Sequence, residues 1–91
     1  MVRLRLRRED LEWRRVDHEV IAVDTRDWTY LSANGTGAML WEALVEGATR
    51  EQLVELLAGS FPLERARADA DVGAFLDDLA RKGLLDDQAP A

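Results

Sequence analysis

Apolar and polar side chains alternate with period two through three stretches of the first half: Leu11-Glu12-Trp13-Arg14-Arg15-Val16, Val20-Ile21-Ala22-Val23 and Trp28-Thr29-Tyr30-Leu31. That period predicts three short strands, each with one face for the core and one for solvent. The polar breaks Asp17-His18-Glu19 and Thr25-Arg26-Asp27 have the length of hairpin loops, so an antiparallel meander is the economical topology. The third strand then lies at an edge. Met1 to Arg8 alternates too, with Val2, Leu4 and Leu6 opposite Arg3, Arg5 and Arg7, and reads as a further strand or a loose arm.

Beyond the third strand the period lengthens to that of a helix. The first helix starts with Asn34 or Thr36 as N-cap, runs through Met39, Leu40, Trp41, Leu44 and Val45, and stops at Gly47. Thr49-Arg50-Glu51-Gln52 has the form of a capping box, after which Leu53, Leu56 and Leu57 share a face until Gly59 ends the second helix. A third helix is expected from Glu64 or Arg65 to Lys82, stopped by Gly83. Its residues Val72, Phe75 and Leu79 are expected in the core, with Leu76 on the border beside Asp69, Gly73 and Ala80. The fold class is therefore α+β, a three-stranded antiparallel meander followed by three helices, in the manner of a winged helix-turn-helix. Residues 1–91 make one domain, with 87–91 as a flexible tail.

A chain of this length buries only about 60–65% of its unfolded surface, so most apolar side chains are needed for the core. Composition, 47% hydrophobic and 33% charged, is that of a compact globule. No apolar run approaches the roughly 18 residues of a membrane span and the N-terminus lacks a signal-peptide core, so a cytoplasmic protein without a membrane partner is expected. With no cysteine, disulfides and zinc-thiolate sites are excluded. Residues 1–34 carry seven basic and seven acidic side chains, and 35–91 carry five against eleven, so the whole net charge of −6 sits on the helical part. Such a surface repels phosphate backbones, and no nucleic-acid partner is expected.

Little here suits catalysis. The one histidine, His18, falls in a turn, the serines are Ser32 and Ser60, and no triad or metal-ligand spacing occurs. Gly35-Thr36-Gly37 lacks both a Walker lysine and a dinucleotide fingerprint and is a strand-to-helix turn. A non-enzyme without cofactor or metal is the expectation. What the chain does offer is a strand edge running from Trp28 into a helix that carries Trp41. Trp28 and Tyr30 alternate with Thr29 and Leu31, so they either cover the outer sheet face with Trp13 or meet a partner protein, whereas Trp41 belongs to the core. Gly73 costs a helix interior about 1 kcal/mol relative to alanine. Either it packs against another helix or is simple drift, or Gly73 and Ala80 flank Leu76 in a shallow strip where an added backbone fits. Asp69, Asp77 and Arg81 border that strip, with Asp77 and Arg81 also a plain i,i+4 pair.

Three marks occur in order: N-G-T-G-A-x-L-W from Asn34 to Trp41, E-G-A-T-R-E-Q-L into the second helix, and D-V-x-x-F-L-x-x-L-x-x-x-G-L-L at the end. Together, over about residues 11–86, they resemble the PqqD-like family, the RiPP recognition elements that bind leader peptides of ribosomally made precursors. Ala33 stands where that family often has leucine. In length the chain is similar to the stand-alone B1 proteins of lasso-peptide biosynthesis, which deliver the leader to a separate B2-type leader peptidase, with the cyclase as a further partner. The resemblance implies that the leader adds a strand to the third strand by β-augmentation. Its tyrosine, proline and leucine would drop between strand and third helix. The site residues so implied are Trp28, Thr29, Tyr30, Leu31 and Ser32 on the strand, and Asp69, Val72, Gly73, Leu76, Asp77 and Ala80 on the helix.

Two other readings compete. A winged-helix DNA-binding protein has this architecture, but Glu64, Asp69, Asp71, Asp77 and Asp78 on the third helix have the wrong sign for phosphates. A generic dimerising adaptor is the other, since an unpaired strand edge invites self-pairing.

Overall fold

The computed structural model describes residues 3–88. Its elements are β1 (Arg3–Leu6), β2 (Leu11–Val16), β3 (Glu19–Asp24), β4 (Thr29–Asn34), α1 (Thr36–Glu46), β5 (Ala48–Thr49), α2 (Arg50–Ser60), α3 (Arg65–Arg81) and β6 (Leu85–Gln88). The expected meander is present as the antiparallel sheet β2-β3-β4, followed by three helices, which is the α+β fold read from the periodicity. Among the described residues no helix is long and apolar enough to cross a membrane.

A second sheet, β5-β1-β6, was not foreseen as such. Its central strand is the arginine-alternating stretch, with Leu6 buried and Leu4 packed against the core. Arg3 and Arg5 each donate to the Glu46 carbonyl, 3.2 and 3.0 Å away. They thus satisfy an orphan acceptor at the C-terminus of α1, where positive charge is favoured. This accounts structurally for much of the arginine face. Val2 lies outside the described residues. The expected tail at 87–91 is part strand: Asp87 and Gln88 belong to β6, and 89–91 fall outside the described residues.

The core gathers on Trp41, with Leu44, Leu53, Leu57, Val72, Leu84 and Val20 all fully buried. Trp13 is 38% exposed and borders the same outer depression as Trp28, but its ring leaves the outer face. It turns inward and meets the edge of Trp41, ring centroids 6.3 Å apart at 70°. The reason is phase: Leu11 is buried and Trp13 follows it by two.

Expectations for each of the three helices need correction. Neither Asn34 nor Thr36 caps α1; Gly35 holds the N-cap position at φ 54, ψ −120, a backbone conformation open to glycine, with no side-chain cap. The capping box of α2 is present, Gln52 N donating to Thr49 Oγ1 at 3.1 Å and Thr49 N to Gln52 Oε1 at 2.9 Å. Gly59 does not end that helix, which continues to Ser60, and Val54 rather than Leu56 completes its buried face. On α3 the core row is Ala68, Val72, Leu76 and Leu79. Leu76 is therefore core, and Phe75 is the half-buried residue at its margin.

Candidate binding groove

Among the described residues β4 pairs only with β3, so its other edge is free there. The six residues TYLSAN carry no charge, no proline and no bulge, the usual protections of an exposed edge. Register decides what each face does. Tyr30 and Ser32 stand opposite Val23 and Ile21, whereas Leu31 and Ala33 stand opposite buried Ala22 and Val20. Thr29, Leu31 and Ala33 thus line the inner side of the edge.

Beside that inner side lies α3, running the opposite way. At the start of β4, Thr29 and Leu31 share a depression of about 200 Å³ with Asp24, Asp27, Arg81, Lys82 and Leu84. At the far end Gly37, the first turn of α1, brings Ala33 and Phe75 together: a Cβ there would stand 3.2 Å from Ala33 Cβ and 3.6 Å from Phe75 Cε1. Position 29 therefore faces 81–82 and position 33 faces 75. Four strand steps span about 13 Å and seven helical steps about 10 Å, so the two contact points fit α3 running antiparallel beside β4. β4 itself packs chiefly on α1 rather than on α3.

The helix residues expected in this groove are placed elsewhere. Val72 is fully buried and Leu76 is 8% exposed. Asp69 and Gly73 turn to α2: Arg50 Nε sits 3.3 Å from Asp69 Oδ1, and a Cβ on Gly73 would come within 2.8 Å of Arg50 Nη2. Gly73 thus lies on the side of α3 that meets α2, beneath the end of the Arg50 side chain. Asp77 and Ala80 are exposed, and Arg81 bonds Asp78 at 3.3 Å rather than Asp77. The cause is rotation: each residue turns a helix by about 100°, so the face toward β4 is one residue's turn away, at Phe75.

On the opposite face of the sheet Trp28 and Tyr30 are 68% and 73% exposed, and they border a depression with Val16, Ile21 and Val23. Trp28 also holds φ 58, an unusual conformation for a bulky side chain, in the loop that Thr29 N steadies by donating to Asp27 Oδ1 at 3.2 Å.

One group beside the groove was missed from the sequence. Asp24 is the one buried acid among the described residues, held by Arg7 and Arg26. Hydrogen bonds from the Arg26 side chain, then from the Arg26 backbone N–H and Arg7, hold its carboxyl well below the usual carboxylate range against the opposing effect of burial. The signal was present, because Asp24 falls in phase with Val20 and Ala22, and an inward acid requires a partner.

A profile of the family described as coenzyme PQQ synthesis protein D (PqqD) matches residues 19–85. A solved structure described as TbiB1 in complex with the TbiA(beta) leader peptide superposes with a TM-score of 0.84 at 26% identity, covering 94% of this chain and 99% of that one. A second, described as lasso peptide synthetase B1 complexed with the leader peptide, has a TM-score of 0.79 at 24% identity over 90% of this chain and 95% of that one. No curated protein matches significantly.

Proposed function

The chain belongs to the PqqD family, and from that premise we propose that it is a non-catalytic recognition protein that captures a precursor's leader peptide in lasso-peptide biosynthesis. The observation that carries this reading is the free, uncharged edge of β4 set alongside α3. The TbiB1 relative, alike over nearly the whole chain, supports it, since that protein is held with its own leader peptide.

The added strand pairs with β4 and its inward side chains rest on α3. In an antiparallel ladder every second residue turns both backbone groups to the partner, so β4 offers about six groups. At roughly 0.5–1.5 kcal/mol net each they supply about 3–9 kcal/mol. Association itself costs about 4–15 kcal/mol, so backbone pairing alone does not hold a peptide. The surplus comes from apolar leader side chains against Leu31 and Phe75, worth about 1.5–3 kcal/mol each when fully buried. The groove residues are accordingly Thr29, Leu31 and Ala33 with Phe75, Arg81 and Lys82, while Trp28, Tyr30 and Ser32 take part through the strand backbone. Val72 and Leu76 belong to the core row of α3 and take no part in the groove.

The outer patch of Trp28, Tyr30, Ile21, Val16 and Val23 is the docking face for the separate leader peptidase in the cytoplasm, with the cyclase acting on the same delivered precursor. A strand gripped on one face by the leader leaves its other face free for that contact.

The test is a titration with synthetic leader peptide from the precursor gene beside this one, followed by amide shifts, with duplex DNA at low salt as control. Micromolar or tighter binding that perturbs Thr29–Ala33 and Phe75–Leu84 is the expected outcome. Peptide binding that leaves β4 untouched would refute strand addition, and binding of DNA alone would refute the proposed function.

A further inference from the structure

The two walls of the groove meet little of one another, so something else must set their spacing. At the open end that link is ionic. Arg7 Nη2 lies 2.8 Å from Asp24 Oδ1, while Arg26 Nη2 lies 2.9 Å from Asp24 Oδ2, with Arg26 Nε and N donating to Oδ1 at 3.2 and 3.1 Å. Both guanidinium groups then reach past the carboxylate to the end of α3. Arg7 Nη1 donates to the Gly83 carbonyl at 2.7 Å and Arg26 Nη2 to the Lys82 carbonyl at 3.5 Å.

The hub is placed for leverage. Asp24 ends β3 directly opposite Thr29, the first residue of the free edge. Its side chain is 5% exposed, that of Arg7 13% and that of Arg26 47%. Gly83, at φ 71, lets the chain turn under Arg26, whose Nη2 stands 3.1 Å from where a Cβ would be. A fork of fixed geometry on each side of one carboxylate makes a stiff strut, where a lysine would give a loose one.

We infer, on the reading of the groove given above, that Asp24, Arg26 and Arg7 are positioning residues that hold the start of β4 and the end of α3 one strand's width apart, ready for the leader. Without the clasp, Leu31 and the turn at Leu84 are free to close on each other or to splay. The incoming strand must then pay for ordering them, which weakens capture without removing any contact to the peptide.

The experiment compares Arg26→Gln with Thr49→Ala, using the same synthetic leader peptide. The first cuts the strut at its more exposed arm. The second removes the capping box of α2, which lines no part of the groove, and so reports what lost stability alone does. Arg26→Gln is expected to weaken the peptide about fivefold or more, with Thr49→Ala binding as the unaltered protein does even if it melts lower. Asp24→Asn, if folded, should weaken it further. Equal affinity of Arg26→Gln and the unaltered protein overturns the inference, as does equal weakening by Thr49→Ala.

A readout in the free protein separates this from the groove reading itself. Arg26→Gln should shift or broaden the amides of Thr29–Leu31 and Gly83–Leu84 together. If the unaltered protein fails to bind the peptide, the proposed function falls, and the clasp is judged on these amides. Changes confined to Arg26 and its chain neighbours overturn it.

Discussion

Leu76 and Phe75 are neighbours in sequence with opposite assignments, so truncating each to alanine separates core from groove. Leu76 is 8% exposed in a row with Ala68, Val72 and Leu79. Removing a buried leucine side chain costs about 2–5 kcal/mol, and a site at the rim of the core belongs in the lower part of that range, at about 2–3 kcal/mol. A chain of 91 residues has roughly 5–14 kcal/mol in all at about 0.05–0.15 per residue, so Leu76→Ala stays folded at room temperature. At about 4–8 °C per kcal/mol its melting temperature drops by roughly 8–24 °C. Its affinity for leader peptide, titrated well below that temperature, should match the unaltered protein. Phe75→Ala should do the reverse, with a smaller drop in melting temperature and about tenfold weaker peptide, equivalent to about 1.4 kcal/mol of lost contact. Circular dichroism melts and a tryptophan-fluorescence titration measure both. Weakened binding by Leu76→Ala with an unchanged melt would refute the assignment of faces on α3, as would full affinity in Phe75→Ala.

Gly73→Ala should gain up to about 1 kcal/mol of helix propensity, less the exposed Arg50–Asp69 pair it displaces, itself worth about 0–1 kcal/mol. The obstructing atom is the far end of the Arg50 side chain, which can swing aside, so a higher melting temperature with unchanged peptide affinity is expected. Trp28→Asn puts a residue tolerant of φ 58 into the β3–β4 loop while giving up little burial. Its melting temperature should hold or rise, and its pull-down of the leader peptidase should fall. For Asp24 the folded-state pKa lies below the unfolded one, so its contribution to stability is complete above about pH 5 and is lost as pH falls below about 4. Asp24→Asn should therefore melt below the unaltered protein at neutral pH, with the gap narrowing in acid. A gap that stays constant in melts from neutral to about pH 2 would refute this account.

The two halves of the proposed groove were unequally legible. Strand β4 was readable because period two tells both the element and its faces, and the absence of Lys, Pro or charge in TYLSAN marks an open edge. Helix α3 was readable in extent but not in rotation. Val72, Phe75, Leu76 and Leu79 span more than one stripe, and choosing Phe75 over Leu76 as the core residue turned the expected binding face toward α2. The partner of Gly73 was equally hidden, since Arg50 precedes it by a whole helix and a turn. Asp24 went unread because an acid at the end of a strand looks like a loop residue until its phase is counted.

By itself the sequence determined the order and kind of the main elements, the capping box at Thr49 and Gln52, the burial of Trp41 and the acidic helical half. These follow from local periodicity, capping chemistry and charge, which neighbouring residues carry among themselves. Only the tertiary structure decided which side of α3 meets β4, that β1, β5 and β6 form a second sheet, that Trp13 turns to Trp41, and that Arg7 and Arg26 converge on Asp24. Each of those depends on residues far apart in the chain competing for the same space. Packing settles such contests by volume and hydrogen bonding, quantities that no local pattern contains.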